Sequence, residues 1–183
     1  MKNFATILGV FVILSSCSTS KEARLARANQ KEEKKALEQA VVKNAVESRK
    51  FIIKFDKLFL TYGGVMQLIP RANYLIVDGE RATLSTAYLG RQYDVKPIAA
   101  INMRGRANDF SVTDNQGKGR YEIKLRVENK GSVAFTVFLT ISKSGSCQAS
   151  VSSLKIDNVR YSGYLVPIPL PLNTSPKQQG NVI

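Results

Sequence analysis

The sequence predicts a mainly β protein, a single antiparallel β-sandwich or barrel-like meander preceded by an N-terminal α-helix. Three observations support this fold class. Residues 21–48 contain no glycine or proline and are rich in strong helix formers. From Phe51 onward, apolar and polar residues alternate over short runs that are separated by turn residues. No long helical pattern lies between those runs, so a parallel sheet with crossover helices is not expected.

The predicted helix, residues 21–48, has two different halves. Its first half, up to residue 35, carries few large apolar residues, which is typical of a solvated helix or a tether. Its second half is amphipathic, and we expect its apolar stripe to pack on the domain that follows. A membrane-surface helix is the alternative, although the stripe lacks the aromatic residues and multiple leucines of such helices. The stripe consists of Leu37, Val41, Ala45 and Ser48, with Ala40 and Val42 beside it.

Short strands follow the helix at regular intervals. Asp78-Gly79, Lys130-Gly131 and Ser144-Gly145 are tight-turn signals between apolar runs. Three prolines, at positions 167, 169 and 171, are expected to end the sheet pairing because proline has no amide hydrogen to donate. The predicted strand segments are 51–56, 74–77, 82–89, 98–103, 110–112, 121–128, 135–141, 147–151 and 159–165.

The first residues resemble a lipoprotein leader. An apolar run too short to span a membrane precedes Leu14-Ser15-Ser16-Cys17, a pattern typical of cleavage before a lipidated cysteine. We therefore expect residues 1–16 to be a signal peptide, 17–35 a lipidated and partly helical tether, 36–172 a helix plus antiparallel β domain, and 173–183 a disordered tail. The alternative is an ordinary signal peptide with an incidental cysteine. Ser18, which is not acidic, favours an outer-membrane destination, on its periplasmic face or at the cell surface.

The chain is strongly basic, with a formal net charge of +13. Because an exported lipoprotein does not normally meet nucleic acid, we expect no nucleic-acid partner. The expected partners are the membrane, reached through lipid on Cys17, and an envelope lipid, glycan or protein. A solvated basic surface without a specific partner is the simpler alternative.

The composition excludes several kinds of catalysis. The sequence has no histidine, so it cannot form a Ser-His-Asp triad, a Cys-His pair or a histidine zinc site. It also lacks a phosphate-binding glycine-rich motif. We predict no catalytic, cofactor or metal site. Paired carboxylates are the remaining catalytic candidates, although carboxylates near turns usually bond backbone amides. The candidates are Asp78, Glu80, Asp109 and Asp114.

A second cysteine and several tyrosines have alternative interpretations. If Cys17 is lipidated, Cys147 has no disulfide partner, and a small buried strand residue is a better interpretation of it than a reactive thiol. Four tyrosines can offer a stacking surface to a glycan or peptide, although core or half-buried positions fit the strand pattern better. They are Tyr62, Tyr88, Tyr93 and Tyr164.

Several motifs, in order, resemble a known family across about residues 45–167. They are Ser48-Arg49-Lys50-Phe51 followed by Asp56, then Asn73-Tyr74-Leu75, Asp78-Gly79 and Ala82-Thr83, then Ser142-Lys143-Ser144-Gly145 and Ala149-Ser150-Val151, and finally Tyr161-Ser162-Gly163-Tyr164-Leu165-Val166-Pro167. This pattern is similar to that of the domain-of-unknown-function family 4251. The resemblance implies an exported lipoprotein of Bacteroides-type bacteria with a lipobox, a charged helix and a β domain. It implies no activity.

Together, these observations predict a lipid-anchored cell-envelope protein with a non-catalytic β binding or structural module. Two alternatives remain open. One is a carboxylate-dependent envelope hydrolase, and the other is an accessory subunit of an outer-membrane complex, recruited through Leu37 and Val41.

Overall fold

A computed structural model describes residues 19–61, 63–91 and 99–168 of the chain. In these residues a single long helix precedes a set of antiparallel strands, and a short 3-10 turn, Gln116–Lys118, lies between two of them. The elements are α1 (Thr19–Glu47), β1 (Lys50–Phe59), β2 (Val65–Gln67), β3 (Tyr74–Asp78), β4 (Arg81–Ala87), β5 (Ala100–Asn115), β6 (Arg120–Glu128), β7 (Phe135–Ser142), β8 (Ser146–Ser153) and β9 (Ile156–Pro167).

Eight of the strands form a closed antiparallel barrel. From β3 to β9 each strand pairs with the next, and β1 pairs with both β3 and β9, which closes the sheet. The short β2 adds to the far end of β1, at Lys57–Phe59. The mainly β fold with one preceding helix is therefore confirmed, and of the two predicted architectures the barrel is correct. Full closure leaves the eight strands without an open edge.

The barrel interior is filled with apolar side chains. Inward positions alternate with outward ones along β4, β6 and β7, as the period of two predicts, and along β1 up to its bulge. The rings of Phe55 and Tyr161 lie 5.0 Å apart in the core, and the Tyr161 hydroxyl donates to the Ala87 carbonyl at 2.9 Å. Among the described residues, no buried side-chain nitrogen or oxygen lacks a hydrogen-bond partner. The largest fully buried side chains are Tyr88, Tyr161, Phe51, Phe55, Ile53, Leu58, Leu75, Leu84, Ile101, Ile123, Leu125 and Leu139.

The helix docks on the barrel through its last turns, against β1 and β9. Its buried residues are Val42, Ala45 and Val46, at the spacing i, i+3, i+4 of one helical face. Docking is thus confirmed, but most of the predicted stripe was wrong. Leu37 and Val41 are 68% and 44% exposed, and Ser48 and Ala40 are also exposed, so only Ala45 of the predicted stripe and the neighbouring Val42 are buried.

The end of the helix is fixed by backbone contacts. Arg49 adopts a left-handed conformation, with φ of 54°, and its carbonyl accepts a hydrogen bond from Gly79 N at 2.8 Å. That bond ties the helix end to the β3–β4 hairpin. The Arg49 guanidinium lies 4.6 Å from the centre of the Phe110 ring. These contacts lie where the chain turns from the helix into β1.

The largest difference from the predicted strands is in β5. Segments 98–103 and 110–112 belong to one strand, Ala100–Asn115, which continues through a bulge between Asn108 and Ser111. Asp109 occupies the bulge with φ of 51°, a conformation that lets the strand bend without ending. The strand therefore extends into the predicted loop 114–119. The short β2 has no apolar alternation and was not predicted.

Several predictions lie outside the described residues. They concern the signal peptide 1–16, lipidation of Cys17, Tyr62 and Tyr93, Pro169 and Pro171, and the tail 173–183. Within the described residues, β9 ends at Pro167, two residues beyond the predicted strand, and Pro167 is still the register partner of Phe51. None of the helices described is long and apolar enough to cross a membrane.

Candidate functional site

The outer face of β4, β5 and β6 carries a cluster of arginines. Arg81 on β4 is the register partner of Arg106 on β5, and Thr83 is the partner of Arg104. Because alternate residues of a strand share a face, Arg104 and Arg106 point to the same side as Arg81. All three are exposed. With Lys130 they line an open groove of about 1000 Å³, which we call the arginine groove. Its other lining residues are Glu80, Gly105, Asn108, Glu128 and Asn129.

Gly105 lines the arginine groove and lies close to the end of β6. A Cβ built on Gly105 would lie 1.9 Å from the Glu128 carbonyl oxygen and 3.1 Å from Asn129 N. The end of β6 therefore crosses β5 at a distance that only glycine permits. This close crossing brings the exit of β6, and with it Lys130, next to the β5 arginines.

Glu128, one of the acidic residues that line the groove, is bound by side chains other than the three groove arginines. Glu128 is the register partner of Arg106, yet its carboxylate accepts hydrogen bonds from Asn108 Nδ2 and contacts Arg126 Nε at 3.2 Å. Among the described residues, no carboxylate lies within 4.0 Å of the guanidinium of Arg81, Arg104 or Arg106. Glu80 and Glu128 also line the groove, but neither is within ion-pair distance of its three arginines in the part of the chain that the structure describes.

A smaller recess of about 450 Å³ continues from the arginine groove toward the helix end. It shares Glu80, Arg106 and Asn108 with the groove. Asp109 lies in this recess, where its carboxylate contacts Arg126 Nε at 3.5 Å and its side chain is 61% exposed. The remaining lining residues are Arg49, Ala107, Phe110 and Arg126.

The structure brings only two of the four candidate carboxylates into one recess. Glu80 and Asp109 both line the smaller recess, whereas Asp78 and Asp114 do not. Asp78 faces Lys50 and Arg81 in the sheet register. Asp114 lies at the other end of β5, where its register partner is Tyr121. Burial raises the pKa of the Tyr121 hydroxyl, and the negative charges of Asp114 and Glu47 raise this pKa further.

The described tyrosines form no shared binding surface. Tyr88 is 1% exposed, and its hydroxyl donates to the Arg91 carbonyl, so the core position was the correct interpretation. Tyr164 is 42% exposed on β9, between Lys54 and Ser146 in the register. Tyr161 is not one of the four candidate tyrosines. Burial raises the pKa of its hydroxyl well above the usual value.

The described residues contain no cluster of three or more cysteines and carboxylates suited to hold a metal ion. Cys147 lies on β8 with 3% exposure and forms no disulfide. Burial raises the pKa of its thiol from 9.0 to about 12. The prediction of a buried strand residue is therefore confirmed.

We expect the Cys147 thiol to be inert in the native state. A pKa shift from 9.0 to about 12 lowers the thiolate fraction at mildly alkaline pH by roughly a thousandfold. Because the folded-state pKa is raised, the associated stability is complete below pH 9.0 and is lost as the pH rises through about 12. The check is thiol labelling by a chromogenic disulfide, with and without denaturant. Labelling of the native protein at the rate of the denatured protein would contradict this prediction.

The arginine groove was not found from the sequence. The sequence does contain Arg104-Gly105-Arg106, in which the two arginines are two residues apart. In a strand, residues two apart lie on the same face. The partner Arg81, however, follows the β3–β4 turn, and its position opposite Arg106 depends on the register between β4 and β5. That register was not predicted.

The fold and the groove define a class: a closed, apolar-filled antiparallel β-barrel with a helix docked on it and a basic groove on its outer face. The chain belongs to the family described as domain of unknown function DUF4251, whose model matches residues 33–165. A similar solved structure is the crystal structure of a DUF4251 family protein from Bacteroides eggerthii DSM 20697. It shares 15% sequence identity and a TM-score of 0.61, over 72% of this chain and 89% of that one. No curated protein matches the chain.

Proposed function

We propose that the chain is a lipid-anchored cell-envelope protein whose barrel is a non-catalytic binding module. The observation that carries this proposal is the arginine groove: an open surface with three exposed arginines and no carboxylate within ion-pair distance of them in the described residues. Such a surface fits binding better than bond breaking. The apolar filling of the barrel supports the same view, because the interior is occupied by the protein's own side chains.

The anchoring part of the proposal depends on the lipobox and on the helix. Leu14-Ser15-Ser16-Cys17 fits cleavage and lipidation at Cys17, and an outer-membrane location fits Ser18. From Lys21 to Glu38 every side chain that the structure describes is exposed. That stretch of helix is about 27 Å long. A helix of this kind suits a spacer that holds the barrel away from the lipid surface.

A carboxylate-dependent hydrolase is the second candidate, favoured by the shared recess of Glu80 and Asp109. It is the weaker one on physical grounds. A general acid needs an apolar environment in which to hold its proton. Asp109 is instead largely exposed and in contact with Arg126. Hydrolysis of a peptide or glycan panel by the purified protein, lost in both Glu80→Gln and Asp109→Asn, would establish this candidate and refute the non-catalytic module.

An accessory subunit of an outer-membrane complex is the third candidate. It is favoured by the exposure of Leu37 and Val41, which the docked helix leaves on a shallow groove of about 290 Å³ beside Leu165 and Pro167. Site-specific crosslinking from position 37 in cells tests it. Capture of only the protein's own barrel would count against this candidate.

We expect Cys17→Ala to remove the membrane attachment completely. Without the thiol no thioether to a lipid can form, and multiple acyl chains are what make such anchoring stable. The measurement is metabolic labelling with an acyl-chain probe, together with fractionation of membranes. Cys147→Ala is the matched control, because it removes the other thiol and should leave labelling and membrane recovery unchanged. Acyl labelling of Cys17→Ala at the wild-type level would refute lipidation at this residue.

A further inference from the structure

Arg106 has another arginine, Arg81, on one side, and on the other side Glu128, whose carboxylate already binds other residues. Its register partner on β4 is Arg81, with a Cα–Cα distance of about 5 Å for such pairs. Like charges directly opposite on one sheet face destabilise the sheet. On the other side Glu128 is already held by Asn108 and Arg126. An anion bound in the groove would relieve this repulsion.

The spacing of the three arginines suits one compact, multiply charged anion. Arg104 and Arg106 are two residues apart on one strand face, a separation of about 7 Å. Arg81 faces Arg106 across the strands. All three side chains line the same groove, so a ligand bound there lies within reach of each of them. A guanidinium offers a planar fork of donors that matches phosphate oxygens, and such charge-assisted bonds are the strong ones.

The remaining lining residues narrow the ligand class. Lys130 adds a fourth cation to the groove lining. Of the described residues lining the arginine groove, none is aromatic. The groove therefore has no stacking platform for nucleic-acid bases, which single-strand binders require.

We propose that the arginine groove binds a phosphate group, carried either by a lipid headgroup or by a soluble phosphorylated sugar. This inference rests on the proposed function, since it names the ligand of the binding module. Arg81, Arg104 and Arg106 hold the phosphate oxygens, and Lys130 adds long-range attraction. Binding weakens as salt rises, because the groove is open to solvent.

The test is calorimetric titration of the full-length protein, purified in a neutral detergent, with inorganic pyrophosphate. We expect saturable binding that falls at least about tenfold in the Arg104→Gln/Arg106→Gln variant. Arg71→Gln/Lys57→Gln is the matched control, because it removes the same charge from exposed positions that do not line the groove. Pyrophosphate should raise the thermal midpoint of the wild type and of this control, but not that of the groove variant. Equal losses of affinity in both variants, or no saturable binding by the wild type, would overturn the proposal.

Two further probes separate the sources of the phosphate. Glycerol 1-phosphate represents a lipid headgroup that ends in a phosphomonoester, as in phosphatidic acid, and glucose 1-phosphate represents a phosphorylated sugar. Whichever competes better with pyrophosphate identifies the source, and failure of both to compete contradicts the proposal. Failures of the two proposals are distinguishable. Unlipidated Cys17 would refute the anchoring and leave the titration unchanged, whereas unaltered binding by the groove variant would refute only the groove.

Discussion

We expect Gly163→Ala to prevent stable closure of the barrel. Gly163 on β9 is the register partner of Phe55 on β1, at the seam that joins the last strand to the first. A Cβ at this position would lie 2.0 Å from the Lys54 carbonyl oxygen and 2.9 Å from the Phe55 Cα. Both obstacles are backbone atoms within a hydrogen-bonded ladder, so neither can rotate away. We expect a loss of at least about 3 kcal/mol in the free energy of unfolding.

A loss of that size is a large fraction of the stability of an ordinary domain, about 5–15 kcal/mol. Chemical denaturation followed by tyrosine fluorescence measures it. Gly117→Ala is the matched control, because the nearest atom to its Cβ is Asn115 Oδ1 at 3.9 Å and its φ is not positive. We expect that control to change stability by no more than about 0.5 kcal/mol. If Gly163→Ala proved as stable as Gly117→Ala, the close approach of β1 and β9 at this point would be wrong.

The seam also marks a limit of what the sequence predicts about the fold. Alternation along single strands was readable, and the hairpin at Asp78-Gly79 followed from its turn residues. Local patterns of this kind explain why the meander was predicted. Pairing between β1 and β9 joins residues about a hundred positions apart, and no local pattern reports it. A sandwich and a closed barrel therefore remained equal alternatives until the strand order was known.

The same reasoning applies to the candidate site. The candidate carboxylates lie near predicted turns, and two of them, Glu80 and Asp109, line one recess. Their meeting depends on the bulge at Asp109 and on the register of β4 with β5, neither of which has a simple sequence signal. Arg81 and Arg106 meet through that same register. A single strand shows which residues share a face, whereas a site on a sheet depends on how the strands align.

The helix buries a different face from the one that its pattern of apolar residues predicts, because its contacts with the barrel decide which residues are buried. The predicted stripe followed the largest apolar residues, starting from Leu37, and thereby fixed the rotation of the helix. Leu37, however, is 68% exposed and lines the shallow groove beside Leu165 and Pro167, outside the buried core. The adjacent valines 41 and 42 are equally apolar, so hydrophobicity alone does not say which of them faces inward. The structure buries Val42 and leaves Val41 44% exposed, which only the contacts of the helix with the barrel decide.

This difference gives a second large effect: we expect Val46→Asp to destabilise the protein strongly and Leu37→Asp to leave its stability almost unchanged. Val46 is 0% exposed in the core, so an aspartate there would bury a charge and release or unfold the docked helix. We expect a loss of about 3 kcal/mol or more in the free energy of unfolding, together with faster amide hydrogen exchange in the last helical turns. Leu37 is 68% exposed, so the same substitution there should change stability by less than about 0.5 kcal/mol. If Leu37→Asp were the more damaging of the two, the helix would dock through the face that the sequence alone predicts. The barrel contacts at Val42, Ala45 and Val46 would then be wrong.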